Sequence, residues 1–281
     1  MSKLTSAPNV AVLTLLVIAI IAGPVTAQAV TDHIVIRDVS SSLAANASGT
    51  VDSLGDVFDD DFVDASTSTP NQDFEEAMAF ASIALIDPAN MHNFAHADSG
   101  TYRYWERQVP NQIIFFGEST QIANAGGLGF SEAFSSMGDS FFIENTGPNG
   151  HAEFSGFIDL ASAQTPGGST GGGASVQIFT TPGNLELGSL FVNTFNGDNN
   201  GTTPVFFSFP WNGGNGIRVH TGAGGDAISG GGEASFIASY DFTLTFTPVP
   251  LPTGIILLGS VLPMLIGSMK RRSPAAQRLR C

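Results

Sequence analysis

The chain has 281 residues, of which 25 are acidic and 10 basic, with one cysteine and 22 phenylalanines. All 25 carboxylates fall between residues 30 and 247, where only Arg37, Arg103, Arg107 and Arg218 oppose them, so that stretch carries a formal charge of −21 and no lysine. Such an excess repels nucleic acid and anionic lipid headgroups, and with the lone cysteine at position 281 no disulfide framework exists, so a phenylalanine-rich core must hold the fold.

The N-terminus carries one lysine, Lys3, then an uncharged apolar run from Val10 to Gly23, then the small-residue stretch Pro24-Val25-Thr26-Ala27-Gln28-Ala29. These are the three parts of a secretory signal peptide, predicted over 1–29. Cleavage by signal peptidase is expected after Ala29, with Ala27 and Ala29 as the small pair, and the alternative point is after Ala27. The apolar run is 14 residues long. A membrane span needs roughly 20. No cysteine follows it, which excludes a lipoprotein anchor.

From residue 30 to residue 247 the expected fold is all-β, a β-sandwich or jelly roll of short strands joined by glycine-rich turns. Ile34–Arg37 is the first predicted strand. Ser40–Thr69 is polar and reads as a long loop, part of a poorly ordered arm over 30–70. Its aspartates Asp59, Asp60, Asp61 and Asp64 read as a solvated run able to hold divalent ions diffusely. Glu75–Ile86 fits two patterns, a helix with Phe74, Met78, Ala81 and Leu85 on one face, or a strand; the β character of everything after it favours the strand. His92 and His96 are spaced as zinc ligands on a helix would be, but lack a glutamate between them and read as loop histidines.

Tyr102, Tyr104 and Trp105, with Trp211 in Phe209-Pro210-Trp211, are the candidates for stacking on sugar rings, since aromatic faces on a sheet match pyranose rings. Alternation turns Trp105 away from both tyrosines. Ile113–Gly117 is a further strand. Phe141–Glu144 and Ala152–Leu160, separated by the turn sequence of residues 145–150, predict a hairpin. Thr165–Ala174 reads as a flexible loop. The Gly-x-Ser-x-Gly match at 167–171 lies inside it, without the strand and helix that a nucleophile elbow needs.

Strands follow at Val176–Thr180, Leu185–Phe191, Val205–Phe209 and Gly216–His220. Two weak calcium candidates lie among them. Asn196–Gly201 offers Asp198 and Asn200 in a calcium-loop-like spacing, although Phe207 stands where a bidentate glutamate belongs. Gly222–Ile228 offers Asp226 in one imperfect β-roll repeat. The clearest strand is Glu233–Thr247, where Ala234, Phe236, Ala238, Tyr240, Phe242, Leu244 and Phe246 alternate with mostly polar residues.

At 248–254 the chain reads Pro-Val-Pro-Leu-Pro-Thr-Gly, and alternating prolines hold it extended and unavailable to helix or sheet. Leu251–Met269 carries no charge over 19 residues. At about 1.5 Å per residue it reaches about 28 Å, enough for a bilayer core. The membrane helix itself is predicted over 255–269. Lys270, Arg271 and Arg272 follow, heading a basic tail over 270–281, and orient the helix from outside to inside.

Proline motif, apolar helix and arginine cluster together resemble the PEP-CTERM sorting signal in its Val-Pro-Leu-Pro-Ala (VPLPA) variant. The match covers residues 249–272, with Val249, Pro250, Leu251, Pro252 and Thr253 as the motif and threonine where alanine is usual. The resemblance implies an exosortase-like processing enzyme as partner in a Gram-negative bacterium, and an exported, transiently membrane-anchored protein of the envelope or extracellular space. The expected function is a non-enzymatic surface or matrix protein that needs no cofactor. The alternative is an exopolysaccharide-binding module, with calcium as an assisting ion. A secreted hydrolase comes third.

Overall fold

The computed structural model describes residues 33–51, 54–67, 74–195 and 200–249. Twelve strands occupy nearly all of them. They are β1 (Ile34–Val51), β2 (Gly55–Thr67), β3 (Phe74–Ile86), β4 (Phe94–Val109), β5 (Gln112–Gly126) and β6 (Gly129–Asn145), then β7 (Gly150–Gln164), β8 (Gly168–Thr181), β9 (Glu186–Phe195), β10 (Gly201–Trp211), β11 (Gly216–Ser229) and β12 (Glu233–Pro248). They form two six-stranded sheets, ordered β2-β1-β6-β11-β8-β9 and β10-β7-β12-β5-β4-β3. Every pairing is antiparallel. The sheets pack face to face as a β-sandwich, β1 over β3 and β4, β6 over β4 and β5, β11 over β5 and β12.

Side-chain alternation builds the core. On β12 the even residues Ala234 to Phe246 are buried and the odd ones face outward. Phe115, Phe141 and Phe154 meet them between the sheets, with ring centroids 4.8 Å apart for Phe115–Phe141 and 5.1 Å for Phe154–Phe242. Each fully buried phenylalanine stabilises the sandwich by about 1.5–3 kcal/mol relative to an exposed ring.

Several expectations are corrected. Ser40–Thr69 is neither loop nor loose arm, because β1 runs unbroken from Ile34 to Val51 and pairs with β6 on one side and β2 on the other. Its buried residues include Ser41, Leu43, Ala45, Ala47 and Gly49, facing the alanines Ala79, Ala81, Ala95 and Ala97. Small residues let the sheets approach there: a Cβ on Gly49 would lie 2.5 Å from the Ile83 side chain. Glu75–Ile86 lies within β3, with Ala77, Ala79 and Ala81 inward and Met78, Phe80 and Ile86 outward.

The segment at 165–174 is a short turn followed by β8, whose glycines make room for Phe236. A Cβ on Gly172 or on Gly225 of β11 would lie 2.4 or 2.3 Å from that ring. The 141–160 pair is not a hairpin, because β6 and β7 belong to opposite sheets and the turn between them crosses the sandwich.

That turn also gathers the two ends of the described chain. Thr146 N–H donates to the His33 carbonyl at 2.7 Å and Val249 N–H to the Asn149 carbonyl at 3.0 Å. Asn111, in the β4–β5 turn with a φ of 67°, accepts from His33 N–H on its side chain and from Phe246 N–H on its carbonyl. Asparagine tolerates that left-handed backbone better than most residues. The chain therefore enters and leaves the sandwich side by side at one pole.

Candidate functional site

Even residues of β3, β4 and β5 face outward, and the register lines them up across the sheet. Glu76, Tyr104 and Phe116 form one row, and Met78, Tyr102 and Glu118 the next. Tyr104 and Phe116 stack at 5.2 Å between centroids, Tyr102 lies 6.1 Å from Tyr104, and Phe74 closes the patch 6.3 Å from Tyr104. Tyr102 Oη donates to Glu76 Oε2 at 3.3 Å. Partial burial, followed by the neighbouring Glu76 carboxylate, raises the phenol pKa of Tyr102 above its ordinary value.

Beside this patch the outer face dips where β4 has Gly100 in place of a side chain. The result is a groove of about 320 Å³ lined by Met78, Phe80, Gly100, Tyr102, Glu118 and Ile122. Phe80 and Met78 are more than half exposed. The groove therefore combines apolar walls, one phenol and two carboxylates, Asp98 and Glu118.

The tryptophans do not share it. Trp105 is 1 % exposed and Trp211 2 %. Trp105 points into the core as alternation requires, and Trp211 packs edge-on against Phe246 while its indole N–H donates to the Asn215 carbonyl. Both are removed from the sugar-stacking candidates. Phe116, Phe74 and Phe80 join Tyr102 and Tyr104 instead; the parity of β3 and β5 was the signal for them.

Directly beneath the tyrosines lies a buried polar cluster. Arg103, wholly buried, places Nη2 2.6 Å from Glu75 Oε1 and Nε 3.3 Å from Asp139 Oδ1. Tyr240 donates to Asp139 Oδ2 at 2.9 Å and accepts from Thr221 Oγ1 at 3.0 Å. Burial raises the Asp139 pKa, opposed by its contacts with Ser41, Arg103 and Tyr240. Burial also drives the Tyr240 phenol well above its ordinary range, with Asp139 adding to the shift. A second set, Ser119, Gln121 and Ser135, links β5 to β6, with the Ser135 hydroxyl donating to the Gly100 carbonyl at 3.1 Å. These groups sit between the sheets and tie them together.

The calcium candidates separate. Asp198 lies outside the described residues, and Asn200 exchanges hydrogen bonds with Ser162, donating to its carbonyl at 3.0 Å and accepting from its hydroxyl at 3.1 Å. Asp226 stands on β11 within the ladder, so Gly222–Ile228 is strand and not a β-roll unit. Burial, then Glu132, raises its pKa. Among the described residues no three His, Cys, Asp or Glu side chains converge as a metal site would need.

Asp59 and Asp61 have another role. They accept from the backbone N–H of Ser82 at 3.0 Å and of Phe80 at 3.1 Å, spanning the sandwich edge from β2 to β3. His92 lies in the β3–β4 turn and His96 on β4, 3.2 Å from Asp98. Gly168–Thr170 opens β8.

Of the sorting motif, Val249 is described and exposed. Ala27 and Ala29, Pro250–Thr253, the helix at 255–269 and Lys270–Arg272 lie outside the described residues.

No protein-family model matches the chain, and no curated protein matches it. Among solved structures, a mutant VP2 protein of infectious bursal disease virus in T=1 particles aligns over 86 % of this chain and 73 % of its own, at 8 % identity and a TM-score of 0.11. Infectious bursal virus-derived T=1 particles align over 83 % and 72 %, at 8 % identity and 0.13. Likenesses this slight identify neither fold relative nor function.

Proposed function

We propose that this chain is an exported, non-enzymatic surface or matrix protein, delivered by its N-terminal signal peptide and processed at Val249–Thr253 by an exosortase-like enzyme at the outer face of the inner membrane. The supporting observation is that Val249, the first residue of the motif, is still held to the sandwich, its N–H donating to the Asn149 carbonyl at 3.0 Å. Pro250 and Pro252 have no N–H with which to extend the ladder. A processing enzyme would thus meet an extended peptide directly at one pole of a folded domain.

The test is intact-mass analysis of the protein recovered from its native host. The expected species begins near Val30, ends near Pro252 and lacks Cys281. Replacing Pro250 and Pro252 with alanine leaves export intact and causes the unprocessed form to accumulate. Wild-type protein that keeps Lys270–Arg272 in full yield overturns the reading.

A second reading, binding of exopolysaccharide, draws on the outward Tyr102, Tyr104 and Phe116 beside the groove over Gly100. Aromatic faces stack on sugar rings, and Glu76 and Glu118 would accept hydrogen bonds from sugar hydroxyls. With a formal charge of −21 the ligand would be an uncharged polysaccharide. Retention on the producer's own polysaccharide, lost in Tyr102→Ala with Tyr104→Ala but kept in Thr202→Ala on the same outer face, supports this reading; equal retention of all three sinks it.

A further inference from the structure

The groove over Gly100 has a charge pattern of its own. In register, Ser82, Asp98 and Ile122 form one outward row across β3, β4 and β5, then Phe80, Gly100 and Thr120, then Met78, Tyr102 and Glu118. Because Gly100 has no side chain, the middle row is a trough running along β4. Asp98 stands at one end of it, Glu118 and Tyr102 at the other. Four residues of β4 separate the two ends, about 13 Å at about 3.3 Å per residue.

No strong cation answers these carboxylates. Between residues 30 and 247 there is no lysine. Among the described residues neither carboxylate meets an arginine: Asp98 accepts from the Ser82 hydroxyl at 2.5 Å and lies 3.2 Å from His96 Nε2, and Glu118 accepts from the Thr120 hydroxyl at 3.4 Å. An ionised carboxylate offers about four lone-pair sites, so each keeps capacity to spare. Between the two ends the trough is apolar, with Met78, Phe80 and Ile122 all exposed to solvent.

We infer that this trough binds a linear polyamine, an extended chain with an ammonium group at each end and methylenes between. The order of groups along the trough is the order along that ligand. One ammonium donates to Asp98 and the other to Glu118, where the face of Tyr102 adds cation–π attraction. The methylenes lie over Gly100 against Phe80, Met78 and Ile122 and leave water. A volume of about 320 Å³ is that of a small-molecule site. A hydrated metal ion would gain nothing from apolar walls, and the formal charge of −21 repels anions. The same charge concentrates cations around the domain before contact is made. The polysaccharide reading is not required, since its platform is Tyr102, Tyr104 and Phe116 and the trough shares only Tyr102 and Glu118 with it.

The experiment is calorimetric titration of the full chain in mild detergent with spermidine, at about 0.15 M sodium chloride so that diffuse attraction is screened. Hexylammonium and magnesium chlorides are the comparison ligands. Spermidine should saturate a single site and bind several-fold tighter than either. Asp98→Asn and Glu118→Gln should each weaken it roughly three- to tenfold, the effect of losing one partly exposed charge contact. Gly100→Leu fills the trough while keeping every carboxylate and should weaken it at least as much. A Cβ at Gly100 would stand 3.3 Å from the Phe80 ring, which is exposed and able to turn aside, so the fold tolerates the change. Glu153→Gln with Asp159→Asn, two carboxylates of β7 on the same outer face, should leave the affinity unchanged. The inference is overturned if spermidine shows no saturable binding, or if this control weakens it as much as the trough variants do, the mark of diffuse counterion attraction. Undiminished binding by Gly100→Leu overturns it too, as does hexylammonium binding as tightly as spermidine, since a single ammonium would then suffice.

Discussion

Arg103 shows how one residue's parity decides its role. It stands in sequence between Tyr102 and Tyr104, yet on a strand it must point the other way from both, with Trp105. There it meets Glu75 and Asp139, two carboxylates that the same parity on β3 and β6 turns inward. Removing one partner of such a buried set is costly because it strands the others. Arg103→Met should therefore lower stability by about 3–5 kcal/mol. The loss, read from denaturant melts, should shrink as pH falls and the stranded carboxylates take up protons. A loss below about 1 kcal/mol at neutral pH would mean that the carboxylates find other partners.

At the scale of elements, legibility followed the size of the alternating residues. β7 and β12 could be read directly because phenylalanine, leucine and isoleucine mark their buried face. The later part of β1 and the first part of β8 could not, since mostly serine, alanine and glycine occupy their buried faces and such residues favour loops as readily as strands. What makes them strands is tertiary: pairing on both sides, and a core that needs narrow places beside Ile83 and Phe236. The aspartates at 59–61 were legible as charge but not as an edge device, because their partners are backbone groups some twenty residues away. Replacing Asp59 and Asp61 together by alanine frees the N–H groups of Phe80 and Ser82 on an edge whose outward residues include Phe74, Met78 and Phe80. The expected cost is about 0.5–1.5 kcal/mol per lost hydrogen bond. Aggregation on heating, followed by light scattering, should begin at a lower temperature than in wild type, whereas Asp38→Ala on the outer face of β1 should leave it unchanged.

For the whole molecule the dominant electrostatic fact is twenty-five carboxylates against four arginines between residues 30 and 247. Ion pairs such as Arg37–Glu144, 2.6 Å apart at the surface, neutralise few of them. Folding gathers the remaining charges, so counterions should stabilise the folded form, and at about 0.15 M salt interactions beyond about 8 Å are already screened. The melting temperature should rise with sodium chloride. It should rise equally with calcium and magnesium chlorides at matched ionic strength, because this stabilisation depends on screening alone.

Acid should act in the same direction. Asp139, Asp226 and Asp241 each have a pKa raised above the ordinary 3.8, chiefly by burial. The folded chain therefore binds their protons at a pH where the unfolded chain has released them. The stability they contribute is complete below 3.8 and is lost as pH rises through the raised values. On lowering pH from neutral toward 3.8 the melting temperature should climb, and the slope should be shallower in Asp241→Asn, which deletes one of these titrations at an outward position. A melting temperature that falls steadily over that range would show that carboxylates stabilised as anions, and not self-repulsion and burial, govern the stability of this fold.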